Sequence, residues 1–200
     1  MDAVAYRDIP LYIRNAQFVN NQAGYGAAID ANVSTYIYTS LFAENKATSK
    51  NEETVHWNGS NNTVSYPGNG GAVYYSKRLE AYNTIFSNNE AEDKGVSQIS
   101  YKQYRSLHGQ DAKKSFGGAG GALCGGYNSH LKMLNCDVVN NMACIYPAIF
   151  TKNPNRSTVV DQSEQDYNLL ANDVFWGNTV REGVSTGNNP LNPFAQALCI

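Results

Sequence analysis

The chain has 200 residues, with 15 basic and 17 acidic side chains and a net charge of −2, and its length suffices for one domain with a substantial core. That balance argues against nucleic-acid binding, which calls for a strong basic excess, and no apolar run reaches the roughly 18–20 residues that span a bilayer. Only 16% of the residues are charged, so the polar surface is made of amides and hydroxyls, which suits repetitive β-structure better than helical bundles.

In chain order, the segment Met1 to Pro10 lacks the basic-then-apolar pattern of a signal peptide. The first organised unit is Asn15-Ala16-Gln17-Phe18-Val19-Asn20-Asn21-Gln22-Ala23. It returns as Thr39–Ala47, Asn83–Ala91 and Asn135–Ala143, and more weakly as Asn172–Val180. The shared core is N-x-x-F-x-x-N-x-A, with Thr39, Val138 and Val180 as departures. A second motif alternates with the first. It reads Gly26-Ala27-Ala28-Ile29, Gly70-Gly71-Ala72-Val73 and Gly120-Gly121-Ala122-Leu123, with Pro147-Ala148-Ile149 as a degenerate copy. Such internal repetition points to a solenoid.

The spacings say where the chain departs from its repeat. Phe18 to Phe42 is 24 residues, and the later intervals are 44, 52 and 37. From the motif Asn to the motif Ala the gaps are 7, 27, 33 and 7, and from that Ala to the next Phe or Val they are 14, 14, 16 and 27. A coil of about 24 residues therefore persists. The second and third coils carry 20 and 26 extra residues at one and the same turn, and the fourth carries 13 after its Ala, around Thr151 to Gln165. Neither Thr48–Asn69 nor Glu92–Ala119 contains a further copy of the repeat. Both are expected to be loops rather than hidden coils, and loops of that length are usually functional or mobile.

A solenoid coil buries its apolar side only against the coils above and below it. Aligned copies give inward columns: Ile13, Ile37, Ala81, Met133 and Leu170; Leu11, Thr35, Leu79 and Leu131; and Phe18, Phe42, Phe86, Val138 and Phe175. Ala23, Ala47, Ala91 and Ala143 form a small-residue column. Adjacent strands lie about 4.8 Å apart, so aromatic rings in one column can stack. The Asn column of Asn21, Asn45, Asn89, Asn141 and Asn178 is expected to supply left-handed corners and a ladder of side-chain amides. The Gly pairs allow positive φ or close backbone approach. The expectation is an all-β chain, a right-handed single-stranded parallel β-helix of about four to six coils with two long loop insertions and three parallel sheets. It forms one domain over residues 1–200, read as a fragment of a longer chain because both ends break within the repeat.

The alternating F-x-x-N and G-G-A-[ILV] motifs, over roughly Leu11 to Asn178, resemble the polymorphic outer membrane protein repeat. The stretch Asp173-Val174-Phe175-Trp176-Gly177-Asn178 is also similar to surface β-helix proteins of gut-type bacteria. This resemblance implies a right-handed, pectin lyase-like β-helix displayed outside a bacterial cell, secreted or on its outer surface, and often linked to adhesion. Val138 for Phe and Pro147 for Gly depart from the pattern in the fourth coil. The motifs are structural, so no catalytic residues carry over.

The chemistry-bearing residues point to binding rather than catalysis. A glycosidase needs two carboxylates flanking the bond, and the nearest pair in the aligned columns, Asp137 and Asp173, falls one column apart. Glu80 and Lys132 share an outward column and read as a cross-strand surface ion pair. His56, His108 and His130 show no metal-ligand spacing, and Cys124, Cys136, Cys144 and Cys199 contain no Cys-x-x-Cys pair. The cysteines are expected to be small buried thiols, and no metal, cofactor or catalytic group is assigned. Outward Tyr12, Tyr36, Tyr38 and Tyr82 fit lateral packing of β-favouring residues or a ring surface for sugars. The candidate ligand-binding residues sit in the insertions: His56, Trp57 and Tyr66 in the first, and Tyr101, Tyr104, Arg105 and His108 in the second. Aromatic faces with interspersed donors suit a glycan or a host or cell-surface protein. The resulting expectation is a non-catalytic surface module for adhesion or glycan contact. The alternatives are a polysaccharide-degrading β-helix with its active site partly outside this chain, and a structural spacer.

Overall fold

The structure is a computed structural model that describes residues 9–48, 50–57, 60–66, 68–92, 118–126, 129–144, 146–151, 168–180 and 198–199, with the backbone alone described over 50–57, 60–66 and 198–199. The first circuit of the chain lays down β1 (Leu11–Arg14), β2 (Gln17–Val19), β3 (Gln22–Ala23) and β4 (Ile29–Ala31). The second adds β5 (Thr35–Tyr38), β6 (Leu41–Ala43) and β7 (Lys46–Ala47). It then leaves as β8 (Lys50–Trp57) and β9 (Ser60–Tyr66), and returns as β10 (Val73–Tyr75). The third comprises β11 (Arg78–Tyr82), β12 (Ile85–Ser87), β13 (Glu90–Ala91) and β14 (Leu123–Gly125). The fourth comprises β15 (His130–Leu134), β16 (Asp137–Val139), β17 (Met142–Ala143) and β18 (Ile149–Phe150). The last supplies β19 (Leu169–Ala171), β20 (Val174–Trp176), β21 (Thr179–Val180) and β22 (Leu198–Cys199).

Apart from β8 and β9, each strand pairs in parallel with its counterpart one circuit away. The four resulting five-stranded sheets run β1-β5-β11-β15-β19, β2-β6-β12-β16-β20, β3-β7-β13-β17-β21 and β4-β10-β14-β18-β22. They are called the first to fourth sheets below. No helix occurs among the described residues. Short parallel strands visited in the same order on every circuit are the arrangement of a β-solenoid.

Four parallel sheets replace the expected three. A left-handed residue stands between the third and fourth strands of each circuit, at Gly26, Gly70, Gly120 and Tyr146, and turns the chain too sharply for both strands to share a sheet. Two further left-handed corners recur. One falls between the first and second sheets at Asn15, Thr39, Asn83, Asn135 and Asn172. The other falls between the second and third at Asn20, Glu44, Asn88, Asn140 and Gly177. The corner residue is thus the one before each ladder asparagine. The expectation that Asn21, Asn45, Asn89, Asn141 and Asn178 themselves turn the backbone is corrected.

What those asparagines do instead is bond. Asn45 Nδ2 donates to Asn89 Oδ1 at 2.9 Å, and Asn89 Nδ2 donates to Asn141 Oδ1 at 2.9 Å. The ladder runs on through Asn21 to Asn45 at 2.8 Å and Asn141 to Asn178 at 3.0 Å. Each Oδ1 also accepts the backbone N–H of the preceding rung, as Asn45 N to Asn89 Oδ1 at 3.1 Å. The second Nδ2 proton goes back to a carbonyl of the Phe column, as Asn89 to Phe42 O at 3.0 Å. Asn45, Asn89 and Asn141 are fully buried, and burial without these partners would cost several kcal/mol.

The inward columns pair in the register expected, although Leu11 at the first rung is 38% exposed. Phe18 pairs with Phe42, Phe42 with Phe86, Phe86 with Val138 and Val138 with Phe175. Phe18–Phe42 and Phe42–Phe86 stack with centroids 4.8 and 5.1 Å apart. Ile37, Ala81 and Met133, and Thr35, Leu79 and Leu131, line the first sheet's side of the core, and Val73, Tyr75, Leu123 and Ile149 close it from the fourth. The two glycines of each pair have different tasks. The first takes the positive φ. The second sits where circuits nearly touch, so a Cβ on Gly121 would overlap the Pro147 carbonyl oxygen.

Candidate functional site

The long insertions leave and rejoin the scaffold at one corner, between the third and fourth sheets. Ala47 and Ala91 are register partners, and the first insertion follows Thr48 while the second follows Glu92. Glu92 N donates to Ala47 O at 2.8 Å. On the return side Gly68 N donates to Glu92 O at 2.8 Å and Cys144 N to Gly118 O at 3.0 Å. Their bases are therefore one strand spacing apart. Gly68 and Gly118 permit this approach, because a Cβ on either would press on the Ala47 or the Ala91 backbone.

The first insertion is not an irregular loop but a two-stranded antiparallel hairpin, β8 with β9. It is not a hidden coil either. Trp57 pairs with Ser60 and His56 with Asn61 at the outer end, whereas Tyr66 pairs with Lys50 at the base. Ser60 and Tyr66 are six residue steps apart along the strand, a span of about 20 Å at roughly 3.3 Å per step. The hairpin thus groups His56 with Trp57 and sets Tyr66 apart from them. Tyr101, Tyr104, Arg105 and His108 lie outside the described residues.

Beside the insertion bases runs a column that the motif reading passed over. Asp30, Tyr74, Cys124 and Phe150 are in register on the outer side of the fourth sheet. Tyr25 meets Tyr74 edge-on with centroids 5.4 Å apart, and Tyr146 stacks on Phe150 at 5.1 Å. Tyr74 and Phe150 thereby flank the buried Cys124, with Tyr25 and Tyr146 packed on their outer sides. Burial pushes the Asp30 carboxyl above the usual carboxylate range. Burial, with the nearby Cys124, Tyr25 and Asp30, pushes the Tyr74 hydroxyl up to about 12, so it is a neutral donor at any physiological pH. The signal was present in the sequence: the residue after the last apolar position of each G-G-A-[ILV] motif must point outward by the two-residue period of a strand. On the other side of the corner, Lys46 Nζ lies 3.2 Å from Glu90 and 3.8 Å from Glu92. These partly exposed pairs contribute at most about 1 kcal/mol.

The outward tyrosines of the first sheet are occupied by one another. Tyr38 and Tyr82 stack at 5.1 Å; Arg14 covers the other face of Tyr38 at 4.9 Å, and Lys132 lies over Tyr82 at 5.6 Å. Both faces of both rings are engaged by cations or rings, leaving edges and hydroxyls outward. Tyr12 stacks on Tyr36 at 5.0 Å. Glu80 does sit opposite Lys132 in register, but its ion pair is with Arg78, Nε to Oε1 at 2.8 Å, and it accepts a hydrogen bond from the Tyr82 hydroxyl. Burial and that bond raise the Tyr82 pKa. Tyr38 and Tyr82 are thus taken up in cross-strand packing, whereas Tyr12, at the first rung, stays 57% exposed.

The carboxylate pair is likewise structural on one side. Asp173 Oδ1 accepts Cys136 N at 2.7 Å and Oδ2 accepts Ala171 N at 3.1 Å. It continues a second ladder in which Thr84 Oγ1 accepts Ser40 N at 3.4 Å and Ser40 Oγ accepts Ala16 N at 3.2 Å. Burial raises the Asp173 pKa against these bonds, with Asp137 adding a smaller upward push. Cys124, Cys136 and Cys144 are buried thiols, and burial drives Cys136 up to about 11. Among the described residues no group of three or more His, Cys, Asp and Glu is placed to hold a metal ion. No protein-family model, curated protein or solved structure matches the chain.

Proposed function

We propose that the chain is a stretch of right-handed, single-stranded parallel β-helix that serves as a non-catalytic binding module outside a bacterial cell. Its ligand, a glycan or a partner protein, seats at the corner where the two insertions leave. The observation that carries this reading is the register pairing of Ala47 with Ala91, which sets the bases of two long insertions side by side on a rigid stack. Loops held by such a scaffold commonly carry binding residues. The hairpin brings His56 and Trp57 to the outer end of the first insertion, and the Tyr25, Tyr74, Tyr146 and Phe150 rings form a wall beside its base. Rings with interspersed hydroxyl and amide donors are the surface a sugar or a polar protein face engages. The display outside a cell follows from the repeat resemblance. Binding of the wild type and of a variant with Trp57, Tyr101 and Tyr104 all changed to Ala, measured on a glycan array and by pull-down of cell-surface proteins, tests the reading. Loss of binding in the variant is expected. Undiminished binding would move the site off the insertions, and no binding to any ligand by the wild type would favour a spacer.

A further inference from the structure

A sheet that faces water on one side should alternate apolar residues inward with polar residues outward. The third sheet does so: Gln22, Lys46, Glu90 and Thr179 stand in its outward column, with Met142 as the apolar member. The second sheet does not. Its inward column is the Phe column, so the residues on either side point outward. Leu41, Ile85 and Val174 stand in one outward column, and Val19, Val139 and Trp176 in the other. Ile85, on an interior rung, is 42% exposed, and Trp176 is 75% exposed. The long connections, from β7 to β10, β13 to β14, β18 to β19 and β21 to β22, all begin or end on strands of the fourth sheet. The second sheet is bounded instead by two tight left-handed corners, and no insertion leaves or rejoins at its edges.

Those corners give the strip its rims. One carries the exposed Asn15, Asn83, Asn135 and Asn172, and the other the exposed Asn20, Asn88 and Asn140. The left-handed backbone explains why Asn stands there. The consequence is an apolar strip between two rows of amides, each able to donate and to accept. Strands of three residues make the strip about 10 Å wide, and five strands make it about 19 Å long. The resulting area, roughly 200 Å², is far below the roughly 800 Å² that each partner gives to a stable protein interface. It suits a narrow ligand. Charge narrows the choice further. The strip and its rims hold no Lys, Arg or His, and their exposed or half-exposed outward carboxylates are Asp137 and Glu44; Asp173 is turned onto the Cys136 and Ala171 N–H groups. Such a face repels anionic chains. We infer that the outer face of the second sheet is a glycan site separate from the insertion corner, and that it takes a neutral, unbranched polysaccharide lying along the stack. A flat-ribbon sugar chain, of the cellulose or chitin kind, has apolar CH faces and hydroxyls along both edges. Its faces cover Leu41, Ile85 and Val139 and end on the Trp176 ring, while its edges meet the two amide rows.

Titration calorimetry of the 200-residue chain with cellohexaose, chitohexaose and hexagalacturonate tests this, with two variants that leave the insertions untouched. Ile85→Lys sets a charge in the middle of the strip at an exposed position. The double variant Asn83→Gly with Asn88→Gly keeps residues that accept the left-handed corners, at φ 48° and 54°, and removes one amide from each rim. The wild type is expected to bind at least one of the two neutral oligosaccharides and to bind hexagalacturonate more weakly. Each variant, folded by circular dichroism, is expected to lose about tenfold or more in affinity, because the sugar would have to desolvate a charge or forgo its edge bonds. A wild type that binds neither neutral oligosaccharide at millimolar concentration would overturn the inference. So would affinity that is unchanged in both folded variants, which would put the bound sugar elsewhere on the molecule, or a preference for hexagalacturonate, which would contradict the charge argument.

Discussion

Replacing Asn89 by Ala removes the middle rung of the amide ladder. The side chain takes part in four hydrogen bonds: it donates to Asn141 Oδ1 at 2.9 Å and Phe42 O at 3.0 Å, and accepts from Asn45 N at 3.1 Å and Asn45 Nδ2 at 2.9 Å. After truncation Asn141 Oδ1 still accepts the residue-89 N–H, a bond of 2.9 Å in the wild type. The two Asn45 donors, however, stay fully buried with no acceptor. An unsatisfied buried donor costs about 1–3 kcal/mol, so the pair predicts a loss of about 4 kcal/mol. Asn21→Ala is the internal control. That residue is exposed and its side chain makes one bond, to an Asn45 Oδ1 that keeps the Asn21 N–H at 3.1 Å; the expected loss is about 1 kcal/mol or less. Urea unfolding followed by circular dichroism measures both. Equal losses for the two variants, or a loss under about 1 kcal/mol for Asn89→Ala, would refute the claim that the ladder satisfies buried donors rather than merely filling a corner. Asn89→Asp adds a sign. A carboxylate there would face the Asn141 and Phe42 oxygens, so its folded-state pKa rises above the unfolded value. The variant should therefore be most stable below the unfolded pKa and lose stability as pH rises through the folded one.

Gly121→Ala should lower the melting temperature far more than Gly126→Ala. The first Cβ overlaps the Pro147 carbonyl oxygen, whereas the second meets at nearest the Tyr74 hydroxyl at 3.1 Å; similar melting temperatures would discount the close approach of circuits. The Cys136 thiol, raised to about 11 by burial, should resist alkylation at neutral pH in the native state and react on unfolding, as peptide mapping would show; rapid native labelling would contradict this. Asp173, with its pKa raised by burial, contributes stability that is full below the unfolded pKa and lost as pH rises through the folded one. Asp173→Asn should therefore flatten the stability profile over that interval, and an unchanged slope would place the titration elsewhere.

The inward columns were legible because the Phe position recurs in fixed relation to Asn and Ala, and the paired strands follow that alignment from Phe18 to Phe175. The two roles of the asparagines were legible only in part. Asn20-Asn21, Asn88-Asn89 and Asn140-Asn141 look interchangeable. Glu44-Asn45 and Gly177-Asn178, however, show that the first position accepts other residues while the second does not. The first is the left-handed corner and the second the buried rung. The fourth sheet was hidden because strands of two or three residues show no periodicity of their own. The hairpin was signalled by Asn58-Gly59 between Trp57 and Ser60, the dipeptide that favours a two-residue connection, but the search for repeat copies passed over it. Of the candidate site, the adjacency of the insertions was readable from the spacings. The separation of Tyr66 from Trp57 needed the antiparallel register. The ring wall around Cys124 needed the outward alternation to be followed past the motif.

The central claim is that circuits of unequal length stack as equals, with the insertions set aside. The most direct measurement is a nuclear Overhauser spectrum of the side-chain amides of Asn45, Asn89 and Asn141, residues 44 and 52 positions apart in sequence. Cross-peaks from Asn45 to Asn89 and from Asn89 to Asn141, with contacts between the Phe42 and Phe86 rings, are predicted. Contacts that instead join the Asn45 and Asn89 amides to residues inside their own insertions, near 69 and 113, would mean that the insertions are circuits of the stack and would contradict the fold described.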